Sequence, residues 1–192
     1  MTKIEKGEPG YIRARKARYL AWAIGEFAIV IAVLVLGYVQ TGSKMNLFTV
    51  VAVVGCLPAS KMLVEYITMA PHKSIEPEVY KELEEKAKLL TRAYDLVITS
   101  TEKVMPVTAL VISGHVVCGY AKSEKTDEVK CARLIKDMLK HNGYDKITVK
   151  IFRDYHAFLA RAEGMNNIAA VEKKEGRRRE MSIRSLILTL SM

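Results

Sequence analysis

Two ionisable residues lie inside long apolar stretches, where a charge needs a partner. Glu26 is the only charged residue between Tyr19 and Gln40, and Lys61 lies in a second apolar stretch that starts at Leu47. If both stretches cross a bilayer as helices, a rise of about 1.5 Å per residue places the two side chains roughly 10 Å below the same surface. A carboxylate at that depth requires a counter-charge or a proton. We therefore predict an intramembrane ion pair between Glu26 and Lys61, within one chain or between two chains.

Lys61 also has a nearer candidate partner. Glu65 follows it by one helical turn, and the aliphatic part of a lysine lets the ammonium group reach the membrane surface. A proton or ion pathway would need further ionisable groups across the bilayer, and the outer half of each apolar stretch has none. A small channel or transporter subunit is therefore an alternative that the sequence does not favour.

Small residues recur along one face of each apolar stretch and would allow two backbones to approach closely. The two stripes are Gly25, Ala28 and Ala32, and Ala52, Gly55 and Ala59. On an ideal helix Lys61 and Glu65 lie opposite the second stripe, so the stripe and the charges face different neighbours. Either the stripes meet within one hairpin, or they make contacts between subunits.

The remaining nucleophiles and metal-ligand types are scattered. Cys56, Cys118 and Cys131 have no Cys-x-x-Cys spacing, which favours a reducing compartment, and Cys118 reads as a small buried strand residue. The four histidines fall in a linker, a turn and two helix ends: His72, His115, His141 and His156. No phosphate-binding, dinucleotide-binding, zinc-protease or hydrolase motif occurs. We predict no catalytic, cofactor-binding or metal-binding residue and no cofactor, and we favour a binding protein while leaving an enzyme open.

The apolar residues are concentrated near the N-terminus. Residues 19–40 carry one charge and are long enough to cross a hydrocarbon core of about 30 Å. A short polar turn follows, so the second stretch, residues 47–70, must cross back. No small-x-small cleavage site follows the first stretch, which argues against a signal peptide. We predict a transmembrane helical hairpin over residues 19–70.

Basic residues set the expected orientation. Residues 1–18 contain six lysines and arginines, whereas the turn between the apolar stretches contains only Lys44. The positive-inside rule therefore places both termini in the cytoplasm of a bacterial cell, with the hairpin in the cell membrane. We expect two basic groups to contact the anionic membrane surface. They are Arg13, Arg15, Lys16 and Arg18, and the run Arg177, Arg178 and Arg179.

Beyond a linker at residues 71–76, residues 77–192 predict a cytoplasmic α+β domain. Hydrophobic periodicity gives the order αβββαβα and then a C-terminal helix, an α/β sandwich with a mostly antiparallel four-stranded sheet. The predicted helices are 77–94, one capped by Thr126, one from Tyr155 to about Met165 capped by Asp154, and 181–192, for which a strand is the alternative because the segment is short. The predicted strands are 96–100, 107–112, 116–120 and 147–152. The apolar face of the last helix either closes the domain core, which we favour, or lies on the inner leaflet.

The order of elements over residues 77–153 resembles the core of the restriction-endonuclease-like fold, including nuclease-related domains attached to membrane helices. The resemblance implies a metal site with an acid on the second core strand and a Glu-x-Lys or Asp-x-Lys on the third, because two carboxylates hold the cation. Segments 107–112 and 116–120 carry no acid and no lysine. We therefore expect the fold without its catalysis.

The segment Gly55–Lys61, GCLPASK, together with the hairpin is similar to an uncharacterised family of small bacterial membrane proteins, some of which carry the label O-GlcNAc-transferase-like. That likeness implies glycosyl transfer, which requires a diphosphate site and usually an acidic metal-binding motif. The sequence contains neither of them, so we do not expect this activity.

These observations together predict a membrane-anchored cytoplasmic domain that binds or scaffolds. The expected partners are membrane lipids and either another protein or a second copy of the chain. Nucleic acid is not an expected partner, because no aromatic residues are interleaved with the basic run. A catalytically inactive nuclease-like domain is the alternative function.

Overall fold

A computed structural model of the chain describes residues 4–43, 46–100, 103–124, 126–171 and 176–192. The chain divides into two compact units. One is Ile12–Lys73, and the other combines the residues up to Tyr11 with Ser74–Met192. This division differs from the predicted domains, because the segment before the first helix belongs to the same unit as the C-terminal domain.

The first unit is a helical hairpin. Helix α1 (Tyr11–Thr41) begins well before the predicted Tyr19, and α2 (Leu47–Met69) continues through Pro58. Asn46 caps α2 by accepting a hydrogen bond from the Thr49 amide at 2.9 Å. Both helices are long and apolar enough to cross a membrane.

The two helices approach closely along a seven-residue repeat. Ala23, Val30 and Gly37 are buried on α1, and Ala52 and Ala59 are buried on α2. A Cβ atom at Gly37 would lie 2.5 Å from the Cβ of Phe48, so only glycine fits there. The predicted stripe on α2 therefore faces α1.

The other predicted stripe has a different position. Gly25, Ala28 and Ala32 are exposed, and no atom lies within 4 Å of a Cβ built at Gly25. The small-residue stripe of α1 that packs within the hairpin consists of Ala23, Val30 and Gly37, which recur every seven residues. It differs from the predicted stripe.

The second unit has a four-stranded sheet in the order β1-β2-β3-β4. The strands are β1 (Thr91–Thr99), β2 (Val104–Ser113), β3 (Val116–Tyr120) and β4 (Thr148–Phe152). The first three are antiparallel, and β4 pairs parallel with β3. The helices are α3 (Pro77–Lys86), α4 (Glu128–His141), α5 (Tyr155–Val171) and α6 (Arg177–Leu190). The α+β class and the predicted order of elements are confirmed.

Helices cover both faces of the sheet. Residues of α4 and α6 pack with one face in a single apolar cluster, and residues of α3 and α5 pack with the other face. Ile183 and Ile187 of α6 are fully buried in the first cluster. This confirms that the apolar face of the last helix closes the domain core.

Two local predictions are wrong. The helix predicted to reach Tyr94 ends at Lys86, and Tyr94 lies in β1. The spacing of Leu83, Leu90 and Tyr94 suggested one helix because all three residues pack in the same apolar cluster. The chain nevertheless leaves the helix after Lys86 and enters β1 at Thr91. The cap of α4 is Asp127 and not Thr126, whose hydroxyl instead donates to the carbonyl of Pro106 at 2.9 Å.

Strand β1 changes its side-chain alternation at Asp95. This buried residue has φ 54°, a left-handed conformation that aspartate tolerates better than most residues. Ala93 and Leu96 lie in the same apolar cluster, although residues three apart in a regular strand point to opposite faces. The Asp95 carboxylate accepts a hydrogen bond from the Ile75 amide at 2.8 Å, which fixes the end of the linker to the sheet.

The edge of β1 is covered by segments from both ends of the chain. The Tyr94 amide donates to the Gly7 carbonyl at 2.9 Å, and the Met192 amide donates to the Val97 carbonyl at 3.0 Å. The Val97 amide donates to the Ser191 hydroxyl at 2.9 Å. These bonds occupy groups that would otherwise pair with another strand.

Candidate functional site

Glu26 lies in the hairpin with a buried carboxylate oxygen, Oε2, that has no hydrogen-bond partner. Lys61 is exposed on α2. Within the described residues, no ion pair includes Glu26, Lys61 or Glu65. One hairpin therefore does not form the predicted pair by itself, and pairing between two copies stays a prediction.

The basic residues at the start of α1 differ in their contacts. Arg15 donates from Nε and Nη2 to the Tyr19 hydroxyl at 2.9 and 2.8 Å. Lys16 donates to the carbonyl of Ala70 at 2.7 Å and to that of His72, and a cation suits the negative end of α2. Arg13 and Arg18 are exposed. Contact of these residues with lipid stays a prediction.

Three exposed arginines begin α6, at the positive end of the helix dipole. Arg179 donates to His115 Nε2 at 3.1 Å, and its guanidinium lies 5.7 Å from the centre of the Tyr144 ring. Arg177 and Arg178 accompany it in the first turn. Cations at a helix N-terminus oppose helix stability, and the contacts of Arg179 with His115 and Tyr144 offset part of this cost.

Arg177 also lines a cleft of about 320 Å³ within the second unit. One wall is the N-terminal segment at residues 7–9, the floor includes residues 89–92 and Tyr94, and the other wall is α6 with Met181 and Arg184. A hydrogen bond connects two cleft residues that are distant in sequence, because Arg184 Nε donates to the Arg92 carbonyl at 2.8 Å.

Three arginines and two glutamates determine the charge of the cleft, which is lined by Glu8, Glu84, Arg92, Arg177 and Arg184. Arg92 and Glu84 form an ion pair at 3.0 Å. The Tyr94 hydroxyl donates to the same carboxylate at 3.3 Å, and burial raises the pKa of this tyrosine, so it remains a donor. Because Glu84 is paired with Arg92, the guanidinium groups of Arg177 and Arg184 are the main cationic groups of the cleft that could bind a ligand. Such groups suit a carboxylate or a phosphate.

Sequence reasoning identified only Arg177 among the cleft residues. Thr91, Arg92 and Arg184 were missed because the cleft joins the N-terminal segment, β1 and α6, which are distant in sequence. One signal was present, since Arg184 directly follows the fully buried Ile183 in α6.

The cysteines of the second unit are poor nucleophiles. Burial is the main cause that raises the pKa of Cys118, and it raises the pKa of Cys131 to about 12. Both thiols are therefore protonated near neutral pH and react slowly. Cys118 is a buried residue of β3, as predicted. No group of three or more His, Cys, Asp or Glu residues suited to a metal ion occurs in the described ranges.

Comparisons with protein-family models, with curated proteins and with solved structures found no match. The resemblances to the nuclease-like fold and to the family with the GCLPASK segment stay predictions.

Proposed function

We propose that this chain is a membrane-anchored binding protein. The observation that carries the proposal is the apolar surface of the hairpin. Leu47, Val39 and Leu57 are 77%, 74% and 71% exposed, and similar side chains follow along both helices. So much contiguous apolar surface is unstable in water and is typical of a membrane contact.

The contacts of the N-terminal segment support a topology with both termini on one side. Gly7 precedes the hairpin and Tyr94 follows it, yet their backbones are hydrogen-bonded. Lys6 also donates to the carbonyl of Ser191. A hairpin that crosses the membrane twice returns the chain to the side on which it began, so the residues before and after the hairpin can be in contact. The excess of basic residues before the hairpin favours the cytoplasm as this side.

The binding role is assigned to the cleft beside α6. Arg92 is paired with Glu84, Arg184 donates to the carbonyls of Arg92 and Gly7, and Arg177 is exposed. We assign Arg177 and the remaining N–H groups of Arg184 to an anionic group. We propose that the cleft receives an acidic segment of a protein partner. Binding is favoured over catalysis because the buried thiols are protonated, and because Asp95, the only acid on the described strands, accepts a bond from the backbone.

Cysteine labelling in intact cells tests the anchor and its topology. In a Cys56→Ser background, Ser43→Cys should react with a membrane-impermeant thiol reagent, because Ser43 lies at the outer turn. Ser185→Cys, exposed on α6, should react only after the cells are opened. Labelling of Ser185→Cys in intact cells, or recovery of the chain in the soluble fraction, would contradict the proposal.

A further inference from the structure

The layer formed by α4 and α6 has a strongly basic outer surface. The two helices contact each other and turn their buried residues toward the same sheet face. We define the cationic face as their exposed lysines and arginines, which are Lys130, Arg133, Lys136, Lys140, Arg177, Arg178 and Arg179.

The charge is divided unequally between the two helical layers. Together α4 and α6 contain eight lysines and arginines against three acids, a net charge of +5. Together α3 and α5 contain three against five, a net charge of −2. The helices that cover the two faces of the sheet therefore carry opposite net charges.

Within the described residues, no acid of α4 or α6 forms an ion pair with a lysine or arginine of these two helices. Both Glu180 oxygens are occupied, accepting from the Thr91 hydroxyl at 2.7 Å and from the Gly114 amide at 2.8 Å. Glu128 pairs with Arg153 at 3.4 Å. Asp137 is the only acid of these two helices that is exposed. The positive end of the α6 dipole adds to the field of its arginines.

We propose that the cationic face binds an anionic phospholipid membrane. The inference rests on the proposed membrane anchor and adds which surface of the second unit contacts the lipid. Seven residues, 70–76, separate α2 from α3, so this segment spans at most about 25 Å when fully extended. A domain held so close to the bilayer meets its phosphates at high effective concentration, and lysines and arginines are attracted to anionic lipids.

A lipid-quenching experiment on the full chain tests this surface. The Cys56→Ser chain is labelled at Ser185→Cys on α6 with an environment-sensitive fluorophore. It is reconstituted in nanodiscs of phosphatidylcholine alone or mixed with phosphatidylglycerol, each with a headgroup-attached quencher. We expect roughly threefold stronger quenching with the anionic lipid. Raising the salt from about 0.1 M to about 1 M should abolish the difference, because the screening length falls from roughly 10 Å to about 3 Å.

Matched charge reversals identify the face. Arg133→Glu with Lys136→Glu on α4 should remove the effect of the anionic lipid. Lys81→Glu with Lys88→Glu, which are exposed near α3 and change the net charge equally, should leave it intact. Equal loss with both pairs would show a response to net charge alone and would overturn the proposal.

The remaining outcomes separate this inference from the proposed anchor. If the chain enters nanodiscs but quenching at Ser185 ignores the lipid charge, the cationic face is not a lipid contact and the anchor stands. If the chain does not enter nanodiscs, both proposals fail. If double-stranded DNA at equal phosphate concentration relieves the quenching and binds the chain in phosphatidylcholine nanodiscs, the face is a nucleic-acid surface and the lipid assignment is overturned.

Discussion

Arg184 is the residue on which the binding cleft depends most. Its Nε atom donates to the Arg92 carbonyl at 2.8 Å and its Nη2 atom to the Gly7 carbonyl at 3.5 Å, and the guanidinium has further N–H groups for a ligand in the cleft that it lines. A charge-assisted hydrogen bond to a ligand carboxylate contributes about 1.5–3 kcal/mol. Arg184→Gln should therefore weaken binding of an acidic peptide by roughly tenfold to a hundredfold, because the side chain keeps a donor but loses its charge.

Fluorescence anisotropy with a labelled glutamate-rich peptide and the full chain in phosphatidylcholine nanodiscs measures this change. Arg133→Gln removes the same charge from α4, outside the cleft, and should change the affinity by less than about threefold. Equal losses in the two variants would mean that the peptide responds to overall charge, and the cleft would lose its assigned role.

At the scale of elements, strand β1 depends on one buried carboxylate. Asp95 combines a left-handed backbone with a hydrogen bond to the Ile75 amide. Asp95→Ala loses the bond and strains the backbone, and should lower the free energy of unfolding by about 3 kcal/mol. Asp95→Gly relieves the strain but not the lost bond, and should cost about 2 kcal/mol. Asp95→Asn keeps an acceptor and should cost least.

Denaturation of the full chain in mild detergent, followed by circular dichroism, gives this order of stabilities. The expected order is wild type, Asn, Gly and then Ala. An Ala variant as stable as the Asn variant would show that neither the backbone conformation nor the bond to Ile75 contributes.

Elements with a single strong periodicity were predictable, whereas elements shaped by distant contacts were not. Strand β3 was predicted with its observed bounds, because a β-branched run is bounded by a glycine turn at Gly114. The boundary between α3 and β1 was missed, since residues before and after it pack on one sheet face. The cleft was missed for a related reason, because Gly7 and Arg184 meet only in the folded chain.

At the scale of the whole molecule, the ends of the chain complete the domain. The N-terminal segment and the last two residues cover the outer edge of β1, so residues 77–192 alone lack part of the folded unit. The predicted boundary at residue 77 followed from local composition, which carries no information about a partner segment some seventy residues earlier in the chain. A fragment intended for study in isolation would expose this edge to aggregation.

A symmetric pair of hairpins would provide partners for two ionisable residues of the proposed membrane anchor. Glu26 has a buried oxygen without a partner, and Lys61 is exposed. In a two-fold dimer each chain can supply Lys61 to the other chain's Glu26, so a single contact is made twice. The exposed stripe of Gly25, Ala28 and Ala32 would allow the helices to approach.

A double-mutant cycle in lipid tests this pairing. Glu26→Gln and Lys61→Met should each weaken dimers measured by energy transfer between labelled chains. The double variant should be weakened by less than the sum of the two, with a coupling of about 1 kcal/mol or more, because the second change removes a charge that has already lost its partner. Ser60→Ala, which alters only a hydroxyl that bonds to the Cys56 carbonyl of its own helix, should leave the dimer unchanged. Strictly additive losses would show that Glu26 and Lys61 do not meet.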